Sequence, residues 1–319
     1  MSAIPAYADV LAAAERIAPY VHRTPVFTSG FLDSLVGANV FLKAENFQKV
    51  GAFKARGAIN AVLLLTEAEA ARGVATQSSG NHGQAVAYAC AIRGIQATII
   101  MPEHAPRIKV DAVRGYGAEI IFCPQSEREQ TLADFVDVSG SVVVHPFDDV
   151  RVIAGQGTAT LELIEQVQDL DVVITPIGGG GLLTGATIVA AHHGIVAHGA
   201  EPETVDDAFR SLRDGIRYPA TGVPSVGDGL LTRIGEIPYE VLSDAGTTIL
   251  TVSDDEMLDA MRMLAERTKL VVEPSAATGP AAVVRYAELF SDMRVGVVLS
   301  GGNVALELFA PSASAASDA

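Results

Sequence analysis

Apolar residues along the chain recur with two periods, and the places where one gives way to the other predict its elements. Residues 7–20 (Y-A-D-V-L-A-A-A-E-R-I-A-P-Y) carry apolar side chains at helical spacing and predict an amphipathic helix. Residues 40–43 read as a short strand, and residues 54–65 as a helix after a turn at Gly51. From residue 73 the two patterns take turns. Strands are predicted over 73–77, 96–101, 118–123, 141–145, 171–176, 196–200, 247–252 and 295–299. Helices are predicted over 84–94, 105–116, 127–139, 152–168, from a glycine run at 178–181 to residue 194, over 254–268, and in the later part of 273–287. Residues 202–238 read as loop-rich. Short apolar runs alternating with helical stretches indicate βαβ units and parallel sheets. The expected fold class is α/β.

Composition narrows the function classes. The 319 residues are 49% hydrophobic and 19% charged. That is a chain that buries a large core, long enough for two domains. No apolar run reaches the roughly 20 residues that span a bilayer. The start, M-S-A-I-P-A-Y-A-D-V, lacks the basic and apolar regions of a secretory signal. Cys90 and Cys123 form no disulfide framework or metal pattern, so a reducing cytoplasm is expected. A net charge of −16 argues against nucleic acid or an anionic membrane as partner.

Four stretches carry candidate chemistry, and a lysine gives them a centre. Lys54 lies in E-N-F-Q-K-V-G-A-F-K-A-R-G-A-I-N, beside Phe53 and among small residues. Such an amine is reachable by a flat ligand, and desolvation can lower its pKa enough for Schiff-base chemistry. G-G-G-G-L-L-T-G at 178–185 follows a strand and opens a helix, so Gly178, Gly179, Gly180 and Gly181 can aim backbone N–H groups at an anion. It matches neither the dinucleotide fingerprint nor a Walker loop. S-S-G-N-H-G at 78–83 offers hydroxyls, an amide and an imidazole between strand and helix, or else a simple N-cap. S-G-G-N at 300–303 ends a strand where α/β proteins bind ligands. In E-P-E-T-V-D-D, Glu201 and Asp207 make an oxygen-rich set suited to Mg²⁺ or Ca²⁺, or a solvated acidic loop.

Taken in order, F-K-A-R-G, S-S-G-N-H-G, the tetraglycine loop and S-G-G-N resemble the fold-type II pyridoxal-phosphate enzymes, in particular the short threonine/serine dehydratase and serine racemase group. H-P-F-D-D-V-R-V-I-A-G-Q-G-T and V-V-E-P-S are further similar stretches, and the resemblance covers nearly the whole chain. It implies two open, twisted parallel-sheet domains of the tryptophan synthase β-like kind, a large one at 1–72 and 148–319 and a small mobile one at 73–147. It implies Lys54 as the lysine that holds the cofactor in a Schiff base, with Phe53 beside the ring. Asn81 would bond the ring 3′-oxygen, Gly178 to Gly181 with Leu182 the phosphate, and Ser300 the pyridine nitrogen. Ser78 and the Asn81–His82 neighbourhood would receive the substrate carboxylate, and Ser79 would lie on the ring face opposite Lys54. Glu201, Asp207 and the Val205 carbonyl match the group's site for Mg²⁺ or another divalent cation such as Ca²⁺ or Mn²⁺. A homodimer is a family expectation, and so is the lack of a C-terminal regulatory domain after S-G-G-N.

Within that group the first expectation is loss of water from L-threonine or L-serine, giving a 2-oxo acid and ammonia. Phe147 in H-P-F-D-D resembles dehydratases. A serine at the ring nitrogen makes a weaker electron sink, which favours prompt loss of a β-leaving group. Amino-acid racemisation is an alternative, with Ser79 as the second base. Dehydration of 3-hydroxyaspartate is another, and needs a cation for the distal carboxylate. Arg128 in S-E-R-E resembles a racemase loop arginine, but reads as a solvated charge at a helix start. A non-catalytic cofactor-binding protein is the reading from outside the class.

Overall fold

A computed structural model describes residues 4–78, 80–105 and 107–309. Two sheets organise it. The larger has six strands: β1 (Val26–Thr28), β2 (Asn39–Ala44), β7 (Val172–Pro176), β8 (Val196–Pro202), β9 (Thr248–Val252) and β10 (Arg294–Leu299). Their spatial order is β1-β2-β10-β7-β8-β9. The smaller has four: β3 (Val74–Gln77), β4 (Ala97–Pro102), β5 (Glu119–Cys123) and β6 (Val142–Val143), in the order β5-β4-β3-β6. Every pairing is parallel except β1 with β2, at one edge. Central strands read V-V-I-T-P and A-T-I-I-M-P and are buried along their whole length, as parallel strands covered on both faces must be. In each sheet the order reverses once, between β7 and β10 and between β3 and β6. The loops after β3, β7 and β10 leave the carboxyl ends of strands at those reversals, where open α/β sheets form ligand crevices.

Three helices meet over that crevice: Lys54–Leu63, Val150–Gln166 and Gly181–His192. The long middle helix separates the other two, and glycines bring the backbones together. A Cβ at Gly155 would lie 2.6 Å from the Arg56 carbonyl oxygen and from Gly57 Cα. One at Gly185 would lie 2.6 Å from Gly157 N. Bare backbone against bare backbone thus sets the distance between the lysine helix and the helix behind the glycine run. The lysine helix also packs on the small sheet's side: Ala55, Ala58, Ile59 and Val62 share a core with Val74, Ala85, Val86 and Ile99.

Most of the predicted elements are present, but the strand at 141–145 shortens to Val142–Val143, β1 and a helix at Gly30–Val36 lie where the pattern predicts none, and the loop-rich stretch needs correction. Residues 202–238 contain a helix at Asp207–Asp214 and the start of another at Glu236–Asp244. Neither has a local side-chain cap. Glu201 caps the first, its carboxylate accepting from Ala208 N at 3.0 Å and Phe209 N at 2.8 Å. Asp148 caps the second, accepting from Glu236 N and Ile237 N, each at 2.9 Å. Capping carboxylates from elsewhere in the chain leave no mark on the helix's own sequence. No described helix is long and apolar enough to cross a membrane.

Because Gly155 has no room for a methyl group, Gly155→Ala is expected to lower unfolding free energy by about 1–3 kcal/mol through overpacking. Urea unfolding measures it, and an unchanged midpoint would show that the two helices can part without cost.

Candidate active site

Lys54 opens its helix at the floor of a cavity of about 340 Å³. The stretch before it is zipped to the end of β10. Phe53 N donates to Ser300 O at 3.0 Å, and Gly302 N to Gly51 O at 2.9 Å. Gly51 has φ +69° and faces the Asn303 amide, so no side chain fits there. Lys54 Nζ donates to the Pro146 carbonyl at 2.9 Å and lies 5.1 Å from the Phe53 ring centroid. Burial pushes its pKa down to about 8, opposed by the negative charge of Glu273.

The glycine run forms the opposite wall. A Cβ at Gly178 would lie 2.8 Å from Leu230 Cα, and at Gly179 2.1 Å from the Phe147 ring. Gly180 has φ +94°, and a Cβ there would meet Pro238 at 2.6 Å. Thr184 N donates to Gly180 O, the first bond of the following helix. The amides ahead of it form a helix N-terminus with no intrahelical partners. Leu182 is buried and also lines the cavity.

Asn81 is held from both sides. Its Nδ2 donates to Glu273 Oε1 at 2.8 Å, and its Oδ1 accepts from Asn303 Nδ2 at 2.8 Å. Burial, then the charge of Asp228, push the Glu273 carboxyl up to about 7. Ser78 and Ser300 line the cavity. Ser78 Oγ accepts from Gly80 N at 3.1 Å. Ser79 lies outside the described residues. His82 is nearly fully buried, with Nε2 2.9 Å from the Val144 carbonyl. A carbonyl only accepts, so Nε2 carries the proton and Nδ1 a lone pair. Burial and the Lys54 charge push this imidazole's pKa down to about 3. It is neutral, and Nδ1 offers nothing to an anion.

An amine, a bare-backbone cradle and a strand-end hydroxyl fit pyridoxal phosphate, the group the resemblance implies. The volume lies within the roughly 300–1,000 Å³ of small-molecule pockets.

The cavity also gathers residues that sequence reasoning left aside. Arg128 lines it, partly buried, with Nε donating to the Gln125 carbonyl at 3.4 Å. Lys109 lines it too, paired with Asp228 at 2.7 Å. Glu273, in V-V-E-P-S, is missed by the sequence pattern, although a glutamate just before a proline that opens a helix is a readable signal. Phe147, the aromatic in H-P-F-D-D, seats against the glycine run. Glu201 and Asp207 are elsewhere: both are buried, and neither lines the cavity. Among the described residues no three His, Cys, Asp or Glu gather as a metal set.

Comparison with known proteins points to the same cofactor. A family model described as pyridoxal-phosphate dependent enzyme matches residues 17–301. The chain is 46% identical to a beta-hydroxyaspartate dehydratase of Paracoccus denitrificans, over 95% of this chain and 98% of that one. It is 42% identical to an L-threo-3-hydroxyaspartate ammonia-lyase of Saccharomyces cerevisiae, over 99% and 98%. Its structure superposes on serine racemase from Dictyostelium discoideum with a TM-score of 0.90 at 41% identity, covering 95% and 100% of the two chains.

A lysine pKa lowered from 10.5 to about 8 means that the free amine predominates above that pH and the ammonium below it. The rate at which added pyridoxal phosphate labels Lys54, followed by absorbance and borohydride trapping, is expected to rise with pH to a midpoint near 8. A midpoint near that of an ordinary lysine would remove the desolvation argument.

Proposed function

The chain belongs to the pyridoxal-phosphate dependent enzyme family, within its ammonia-lyase and racemase group, and from that premise we propose that it dehydrates 3-hydroxyaspartate to oxaloacetate and ammonia. The observation that carries this reading is Arg128 on the wall of the Lys54 cavity, with no carboxylate in ion-pair distance among the described residues. A second substrate carboxylate gives that guanidinium a partner. L-threonine and L-serine, the first expectation from the sequence, would leave it unmatched. The Paracoccus dehydratase and the Saccharomyces ammonia-lyase, both named for hydroxyaspartate, point the same way.

Bound pyridoxal phosphate supplies the electron sink that makes the substrate Cα–H acidic. The chain's own residues do the rest. Lys54, desolvated and near neutrality in pKa, takes the Cα proton. With the cofactor bound, amides at the glycine run would hold the phosphate, Asn81 would present an N–H to the ring oxygen, and Ser300 would present its hydroxyl to the ring nitrogen. The α-carboxylate falls to Ser78 and to the amides opening helix Asn81–Arg93, because neutral His82 has no proton to give it. His82 instead ties that helix start to Val144. Arg128 receives the distal carboxylate, and Lys109 stays with Asp228. The reaction breaks the Cα–H and C3–O bonds, releasing water. Hydrolysis of the resulting enamine gives oxaloacetate and ammonia.

Glu201, Asp207 and the Val205 carbonyl belong to the same proposal as a divalent-cation site. Desolvation pushes the Asp207 carboxyl up to about 6 and Glu201's well above its ordinary value. A raised carboxylate pKa means that ionisation works against the fold, and a bound cation offsets that cost.

Both 3-hydroxyaspartate diastereomers, L-threonine, L-serine and D-serine, assayed for 2-oxo acid and for chirality of the remaining amino acid, separate dehydration from racemisation. Arg128→Gln is expected to lower kcat/KM about 10- to 100-fold on 3-hydroxyaspartate, the value of a charged hydrogen bond, and little on L-serine. Equal losses on both, or preference for threonine in the wild type, would return the reading to threonine/serine dehydration. Racemised serine without 2-oxo acid would make the chain a racemase.

Mg²⁺ is expected to raise the melting temperature more at pH 8 than at pH 5. Protons compete with the cation below about pH 6, where Asp207 takes one up. Indifference to both EDTA and Mg²⁺ at pH 8 would remove the site.

A further inference from the structure

Beneath Lys54 lies a group of four charged side chains that the chemistry above does not use. The Arg56, Glu45 and Lys43 side chains are fully buried, and Glu162 is 14% exposed. The Arg56 guanidinium forks onto Glu45, with Nε–Oε2 at 2.7 Å and Nη2–Oε1 at 2.8 Å. It forks again onto Glu162, with Nη1–Oε1 at 2.8 Å and Nη2–Oε2 at 2.9 Å. Lys43 Nζ donates to Glu162 Oε2 at 2.7 Å and to the Thr24 carbonyl and Gln166 Oε1, each at 2.8 Å. The Thr24 hydroxyl donates to Glu45 Oε1 at 2.6 Å. Two cations face two carboxylates, so the group adds no net charge below the cavity.

Burying such a set is a poor route to stability, since apolar side chains of the same volume do as well or better. What it supplies is geometry. Helix Lys54–Leu63 has no side-chain N-cap; its lead-in is tied to β10 by Phe53 N to Ser300 O at 3.0 Å, and that backbone bond alone leaves the depth and rotation of the first turn to other contacts. Arg56 is in that turn, two residues beyond Lys54. Its planar, rigid fork ties the turn to Glu45 on one side and to helix Val150–Gln166 on the other. Gly57 and Gly155 meet at the same level, so a displaced Arg56 cannot be absorbed by the helices sliding.

We propose that Arg56 is the positioning residue of Lys54, its two carboxylate forks setting the depth and rotation at which the amine enters the cavity. This rests on Lys54 as the lysine that captures the cofactor, which labelling of the wild type tests on its own.

The full chain, freed of cofactor, is mixed with pyridoxal phosphate. Capture at Lys54 is followed by absorbance, borohydride reduction and peptide mapping, and melting temperature is recorded alongside. Arg56→Lys keeps the charge and loses the fork. It is expected to slow capture about tenfold or more, since displacement of a reacting group by about 1 Å can cost about a hundredfold. Glu162→Gln is expected to slow it less. Val252→Ala, a cavity in the large-sheet core, is expected to lower the melting temperature while capturing at the wild-type rate. Wild-type capture by Arg56→Lys, or capture falling in step with melting temperature across all three variants, overturns the proposal. If Arg56→Lys does not fold, Glu162→Gln is judged by the same criterion. A wild type labelled away from Lys54 defeats the underlying reading instead.

Discussion

Desolvation of one amine is the constraint on which the site depends. An exposed lysine is an ammonium at neutral pH, and neither attacks a carbonyl nor removes a proton. Enclosure lowers the Lys54 pKa to about 8, so the free amine becomes available just above neutrality rather than near pH 10.5, and the Pro146 carbonyl is the one hydrogen-bond partner found for Nζ among the described residues. Glu273 works in the opposite sense, and its own carboxyl is pushed up to about 7 by the same enclosure. Low dielectric thus acts on both groups at once, bringing an acid and a base toward a common pH range.

Enclosure requires backbones to approach more closely than side chains allow. Glycine supplies that at both walls: Gly51 beneath Asn303, Gly179 against Phe147, and the Gly57–Gly155 and Gly157–Gly185 crossings that space the three helices. The helix between the lysine and the glycine run acts as a gauge. Its thickness, stripped of side chains at two points, fixes how far the amine stands from the cradle.

Charge is arranged against the bulk trend. A chain of net charge −16 sets Lys54, Lys109 and Arg128 around its cavity, with Asp228 and Glu273 as the acids there. An anionic ligand meets an unfavourable field at long range, which salt screens, and favourable partners at contact, which salt screens far less. Selectivity among anionic ligands therefore lives in the contacts.

The sequence alone determined the α/β class, the alternation of elements, and the three strand-end loops that carry chemistry. These are local signals: periodicity of apolar residues, glycine runs, and hydroxyl or amide residues just past a strand. Tertiary structure decided what depends on distance across the fold. Arg128 reads as a solvated helix-start charge until the fold makes it part of the wall of the cavity that Lys54 lines. Helices Asp207–Asp214 and Glu236–Asp244 hide in an apparent loop because their capping carboxylates, Glu201 and Asp148, lie outside them in the chain. His82 looks like a partner for a carboxylate until the Val144 carbonyl fixes its tautomer. Arg56 looks like one more basic residue beside the lysine until Glu45 and Glu162 close on it. Electrostatic partners and desolvation are properties of proximity in space, and a linear pattern does not record them.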